Sequence, residues 1–296
     1  LSNDQVTPKL TLSHISILNN KIHDIGGYYG GNVKAIKAAW GPDYVTIEGN
    51  QFYNITNTVL STNKRGADAI SFGDTATTDP SENVVIRNNT FANITAMQNG
   101  ANAISLNNKT AVTAVIEGNT FEVDTIKSGG YAQMIGLEGP TPNTVIRSNI
   151  FQVTDPANIG ATTVGINFDA NTAAASVLIE KNKFQGGGYP LINASSYTVN
   201  ASPNWFGQAT GPASNQILFG SSLTYIPWCS VLDCSQTAGP VTNTTQHKGY
   251  ATIQAAIDDA ASGDVITVAA GTYAENVDVT KAVTLLGPNA GIPGNG

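Results

Sequence analysis

A six-residue phrase recurs along the chain and restricts it to a stacked repeat. It reads Ile17-Leu18-Asn19-Asn20-Lys21-Ile22 at its first appearance and Ile47-Glu48-Gly49-Asn50-Gln51-Phe52 at its second. Further copies run from Ile86 to Phe91, Ile116 to Phe121, Ile146 to Phe151 and Ile179 to Phe184. The Asn falls at Asn20, Asn50, Asn89, Asn119, Asn149 and Asn182, so the steps are 30, 39, 30, 30 and 33 residues. A near-constant step in this range marks units that bury their apolar face on one another. Alternating segments precede most copies, as in Val45-Thr46-Ile47, Val84-Val85-Ile86 and Ala114-Val115-Ile116. Alternation points one set of side chains inward and the other outward. A further apolar run follows in several units: Ala69 to Phe72, Ala103 to Leu106, Met134 to Leu137 and Val164 to Phe168. Three short strands in about 30 residues suit one turn of an all-β parallel coil, and no repeat carries the helix pair of a helical solenoid.

Two rows of the repeat are read as structural. Asn tolerates a left-handed turn, and stacked amides bond to the copies above and below. Asn20, Asn50, Asn89, Asn119, Asn149 and Asn182 are therefore expected to form an internal ladder. The residue after each Ile is Glu48, Arg87, Glu117, Arg147 and Glu180 in turn. Stacked about 4.8 Å apart, these alternating signs predict an outward salt-bridge ladder, each pair contributing roughly 0.2–1 kcal/mol. The alternation argues against a paired-carboxylate site.

The repeat resembles the right-handed parallel β-helix superfamily, shared by pectate lyases, pectin methylesterases and many surface proteins. The likeness covers residues 8–205. Asn204-Trp205-Phe206-Gly207, Gly211-Pro212 and Ile226-Pro227-Trp228 resemble the closing segment of bacterial surface β-helices. There Trp205, Phe206 and Trp228 would cover the end of the coil. Residues 235–249 read as a polar linker. From Thr252 to Ala261 the pattern is that of an amphipathic helix stopped by Gly263. Strands and turns are expected at Val265 to Val268, Gly271 to Tyr273, Val277 to Val279 and Val283 to Gly287. This run is similar to the opening segment of such a coil, where the helix plugs the first turn. The organisation predicted is a parallel β-helix over 1–205, an end cap and linker over 206–249, and a cap helix with opening turns over 250–296.

Charged residues make up only 12 % of the chain and the net charge is −7. Without a basic run, nucleic acid is excluded as a partner. No apolar run is long enough to span a membrane. The chain opens on Leu1 with no signal peptide, which suggests a processed product or a fragment. Cys229 and Cys234 suit a small surface disulfide or two free thiols, since no further Cys or nearby His completes a zinc site. Asn-x-Ser/Thr sequons at Asn54, Asn88, Asn93, Asn108, Asn193, Asn200 and Asn243 permit glycosylation of a secreted chain.

The chemistry expected of the superfamily's enzymes is not visible. Polygalacturonase-type motifs are missing, and no acidic cluster with a Lys or Arg emerges on one face. Asp68, Asp74 and Asp79 are candidates for calcium, but their spacing fixes no geometry and they read as solvated loop. His14, His23 and His247 are isolated. The reading is therefore a non-catalytic extracellular or cell-surface structural and adhesive protein, with no cofactor. A polysaccharide-active enzyme or carbohydrate-binding module is the alternative. Partners would be surface glycans and other copies of the chain. A cap-like segment at the tail predicts head-to-tail assembly through Ile253, Ile257, Val283 and Leu285. Folding back on the same chain, or continuation into a further repeat, remain open.

Overall fold

A computed structural model describes residues 12–291 except 28–30, 40, 59–65, 74–78, 108–110, 156, 158–162, 171, 173–175, 187, 214–215 and 221. Asn108 of the sequons and Asp74 of the calcium candidates lie outside the described residues. The fold is a parallel β-solenoid. Its first sheet has eight strands, beginning Ser13–Leu18, Asp43–Glu48, Ser81–Arg87 and Val112–Glu117. Seven-stranded second and third sheets run beside it. The second begins at Lys21–Gly27 and the third at Val33–Ala38.

Register follows the repeat. Ile17, Ile47, Ile86, Ile116, Ile146 and Ile179 lie side by side in the first sheet. In the second, Phe52, Phe91, Phe121, Phe151 and Phe184 do the same. Their rings stack with centroids 5.1, 5.0, 5.0 and 4.6 Å apart, and the column continues to Phe206 at 5.6 Å. Such a column fills the interior with a single side-chain shape, so each added turn finds its complement already in place.

The Asn ladder is continuous. Asn119 Nδ2 donates to Asn149 Oδ1 at 3.0 Å and to the Ile86 carbonyl at 2.9 Å. Its Oδ1 accepts from both the backbone and the side-chain nitrogen of Asn89 at 3.0 Å. The same geometry links Asn20, Asn50, Asn89, Asn149 and Asn182. This explains the paired Ile and Asn of the phrase: the amide satisfies the carbonyl that the preceding turn's Ile leaves at its strand end. One detail differs from expectation. The left-handed residue is the one before the ladder Asn, at Asn19, Gly49, Asn88, Gly118, Ser148 and Lys181. The ladder Asn therefore reaches inward while its neighbour makes the turn.

The stack also runs past residue 205. Asn204 continues the ladder, its Oδ1 accepting from Asn182 Nδ2 at 3.0 Å, and Phe206 continues the ring column instead of covering it. Gln216–Phe219 and Leu223–Thr224 pair onto the third and first sheets. Trp228 packs against Gly211 and donates from Nε1 to the Ala209 carbonyl at 3.0 Å. Cys229 and Cys234 are joined as a disulfide.

Residues 235–249, expected as linker, instead carry the strands Thr237–Ala238, Val241–Asn243 and Lys248–Tyr250. Val241–Asn243 pairs antiparallel with both Lys248–Tyr250 and Val265–Val268, and Thr284–Leu286 adds in parallel to make a four-stranded sheet. The helix is Ile253–Asp259, capped by the Thr252 side chain accepting from Ala255 N. Glu275 accepts from the Ile253 and Gln254 amides, each at 2.9 Å. Gly271 to Tyr273 and Val277 to Val279 lie outside strands.

Candidate functional site

The outer face of the third sheet differs from the rest of the solenoid. Elsewhere the outward rows hold exposed ladders. Here charged and amide side chains are buried. The strands are Val33–Ala38, Ala67–Phe72, Ala101–Leu106 and Ala132–Leu137. Register places Lys34, Asp68, Asn102 and Gln133 in one row, and Lys37, Ser71, Ser105 and Gly136 in the next. The rows are three residues apart along each strand, an odd step that strict alternation would send to opposite faces; Lys34 nevertheless reaches Ser71, which ties the two rows together. Turn residues wall the rows in: Tyr131 packs against Gly100, where a Cβ would lie 2.3 Å from its ring, and Gly66 lies against the Gly100 carbonyl. The result is a pocket with room of about 80 Å³, bordered on its far side by Asn107 and Glu138.

Lys34 Nζ lies 3.0 Å from Asp68 Oδ2 and donates to Ser71 Oγ at 2.6 Å. Asn102 Nδ2 donates to Asp68 Oδ1 at 2.8 Å, and Asn107 Nδ2 to Glu138 Oε2 at 2.7 Å. Asn102 is 5 % exposed and Gln133 is 7 % exposed, yet neither Asn102 Oδ1 nor Gln133 Oε1 has a hydrogen-bond donor. A buried acceptor without a partner costs about 1–3 kcal/mol. Gln133 Oε1 and Glu138 Oε1 both approach the space where a Gly136 Cβ would stand, at 2.3 and 3.5 Å.

Burial pushes the Glu138 carboxyl up to about 7; repulsion from Asp68 and Asp169 adds to the effect, and Lys34 opposes it. Burial, with Glu138 next, pushes Tyr131 up to about 12. Near neutral pH the pocket therefore holds a proton that Glu138 can keep or give up, beside an ion pair and two acceptors without donors. That combination fits hydrogen-bonded recognition or proton transfer.

The site overturns one sequence expectation: Asp68 is a strand residue paired with Lys34, not a solvated loop residue. Asp68, Glu138 and Lys34 share this face, but they form no metal-binding cluster among the described residues, and the side-chain types differ from turn to turn. Sequence periodicity missed them because it detects sameness, and Lys, Asp, Asn and Gln share one row without repeating.

The other expected residues are placed as follows. Glu48–Arg87 and Glu117–Arg147 close as exposed or half-buried pairs at 2.9 and 2.8 Å, and Glu180 lies in register beside Arg147. Of the sequons, Asn88, Asn93 and Asn200 are exposed and Asn54 is half-buried. Asn193 and Asn243 are buried, with amides donating to Tyr197 O and Asp264. A glycan on either buried amide has no room. His14 and His23 stack on Tyr44 and Tyr53. Ile257 is fully buried in the tail's own core with Ile253 and Val283 against it, whereas Leu285 is 44 % exposed. No helix among the described residues is long and apolar enough to cross a membrane. Comparison with known proteins returns no matching family model, no matching curated protein and no matching solved structure.

Proposed function

We propose that the chain is an extracellular structural and adhesive protein, a stiff shaft that contacts glycans through the groove on its third sheet. The observation that carries this reading is the contrast between faces: the Asn and Phe columns commit one whole interior to rigidity, while one outer face keeps buried acceptors without donors. Tail-mediated, head-to-tail assembly belongs to the same reading. Its support is the edge strand Thr284–Leu286, which pairs only with Val265–Val268 among the described residues and exposes Leu285. Such an edge accepts strand addition. Sedimentation velocity tests the assembly: the intact chain associates as its concentration rises, and Leu285→Arg stays monomeric. An intact chain that is monomeric at high concentration ends the assembly proposal. A glycan array tests the groove, with loss of binding in Asn102→Leu as the expected result.

The second reading is a polysaccharide-active enzyme on a pectate lyase-like coil. One observation favours it: Glu138, its carboxyl pushed up to about 7 by burial, shares the groove with Asp68 and Lys34, and a carboxyl that can keep or give up a proton near neutral pH is what acid–base cleavage uses. Formation of unsaturated or newly reducing ends from any glycan, lost in Glu138→Gln, would replace the first reading with this one.

A further inference from the structure

The groove's charge and hydrogen-bonding balance specifies more than a polar ligand. Its acceptors outnumber its donors. Asn102 is 95 % buried, and its Oδ1 has no donor. Asn107 Nδ2 is already bonded to Glu138, and Lys34 Nζ to Asp68 and Ser71. Burial and the charges of Asp68 and Asp169 weigh against ionised Glu138, and Lys34 opposes them only in part. A ligand hydroxyl would satisfy Asn102 but leave that repulsion. A ligand that brings donors and a positive charge relieves both.

We propose that the pocket lined by Asp68, Asn102 and Glu138 binds a primary ammonium group carried on a sugar ring, so that the glycan recognised by the shaft is an amino-sugar polymer with unacetylated nitrogen. This rests on the glycan-contacting reading above. A sugar fits better than a lysine peptide because Ser105 and Asn107 line the pocket beside the ammonium seat as further polar groups, whereas the strands Ala67–Phe72, Ala101–Leu106 and Ala132–Leu137 are paired on both sides. They offer a peptide no edge for strand addition. Binding is proton-linked. The ammonium favours ionised Glu138, which faces Asp68, Asp169, Lys34 and neutral Tyr131. Acid therefore weakens binding by protonating Glu138.

Calorimetric titration of the intact chain tests this with methylammonium, which keeps its charge throughout, at pH 8 and pH 5.5 and constant ionic strength. Affinity should fall roughly tenfold or more at the lower pH. Glu138→Gln, which conserves shape, should bind weakly at both and lose the pH dependence; Asn102→Leu, which removes the open acceptor, should also bind weakly at both. At neutral pH a glucosamine oligomer should bind and its N-acetylated counterpart should not. No methylammonium binding, or equal binding of potassium, overturns the inference. Binding of the acetylated oligomer alone also overturns it while sparing the glycan reading. Methylammonium binding with neither oligomer bound keeps the ammonium seat but ends the glycan reading, and binding of a lysine peptide in the oligomer's place overturns the sugar assignment.

Discussion

The shaft and the tail solve the same problem, the burial of polar backbone, in opposite ways. In the shaft one solution is repeated: each Asn bonds to the next Asn and to an Ile carbonyl, and Asn50, Asn89, Asn119, Asn149, Asn182 and Asn204 are all buried. In the tail several donors converge on one group. Asp264 accepts from Asn243 Nδ2 at 2.8 Å, Gln246 Nε2 at 2.6 Å and the Ala261 amide at 2.8 Å. Those bonds, the Asn243 amide foremost, hold its carboxyl below the usual range. The shaft's core is one cluster running from Val33 to Phe206, while the tail's is Val241, Ala256, Ile257, Ala260 and Ile266. A repeated solution spreads the cost of a defect to neighbouring turns. A converging one confines it to a small module, whose few buried residues leave Val279 and Leu285 uncovered.

The sharpest way to break this contrast is Asn119→Leu. It removes partners from the Asn89 amide, the Asn89 side chain and the Ile86 carbonyl, all interior groups. At about 1–3 kcal/mol for each orphaned group, a loss of roughly 3–5 kcal/mol is expected in chemical denaturation. An unchanged midpoint would show that the ladder does not support the shaft. Next comes Ile257→Ala. Emptying a fully buried site typically costs about 2–5 kcal/mol. The loss should fall on the tail alone, so hydrogen exchange quickens in Val265–Val268 while the shaft's strands keep their protection. Equal acceleration in both regions would make them one cooperative unit.

A smaller effect comes from pH. The folded Glu138 carboxyl titrates at about 7 against an ordinary 4.5. The folded state therefore binds this proton more tightly than the unfolded chain. Its stabilising contribution is fully present below pH 4.5 and is lost as pH rises through 7. The change is on the order of 2–3 kcal/mol. Glu138→Gln should flatten that slope, and a slope of opposite sign would contradict the burial of Glu138. The smallest expected effect is Glu117→Ala. Its pair with Arg147 is partly exposed, so the cost is below about 1 kcal/mol and shrinks with added salt.

The repeated elements were legible before any coordinates. Identical residues at a fixed step leave few arrangements in which each finds the same surroundings, and stacking in register is the one that pairs Ile with Ile, Phe with Phe and Asn with Asn. The tail was half legible: the capped helix from Ile253 stands out by its period, but the pairing of Val241–Asn243 with strands on both sides does not. A three-residue strand rich in Thr and Asn looks like linker until its partners arrive. Asn204 was also missed, because its step of 22 residues from Asn182 breaks the rhythm although the bond is the same.

By itself, then, the sequence determined the coil, its ladders and the positions facing inward, since these depend only on alternation and repeat. Only the tertiary structure decided the groove. Lys34, Asp68, Asn102 and Glu138 share no motif and come from different turns. What makes them a site is that solenoid register brings their rows side by side, that Gly100 and Gly136 let Tyr131 and Gln133 close in around them, and that burial there raises the cost of every unpaired charge.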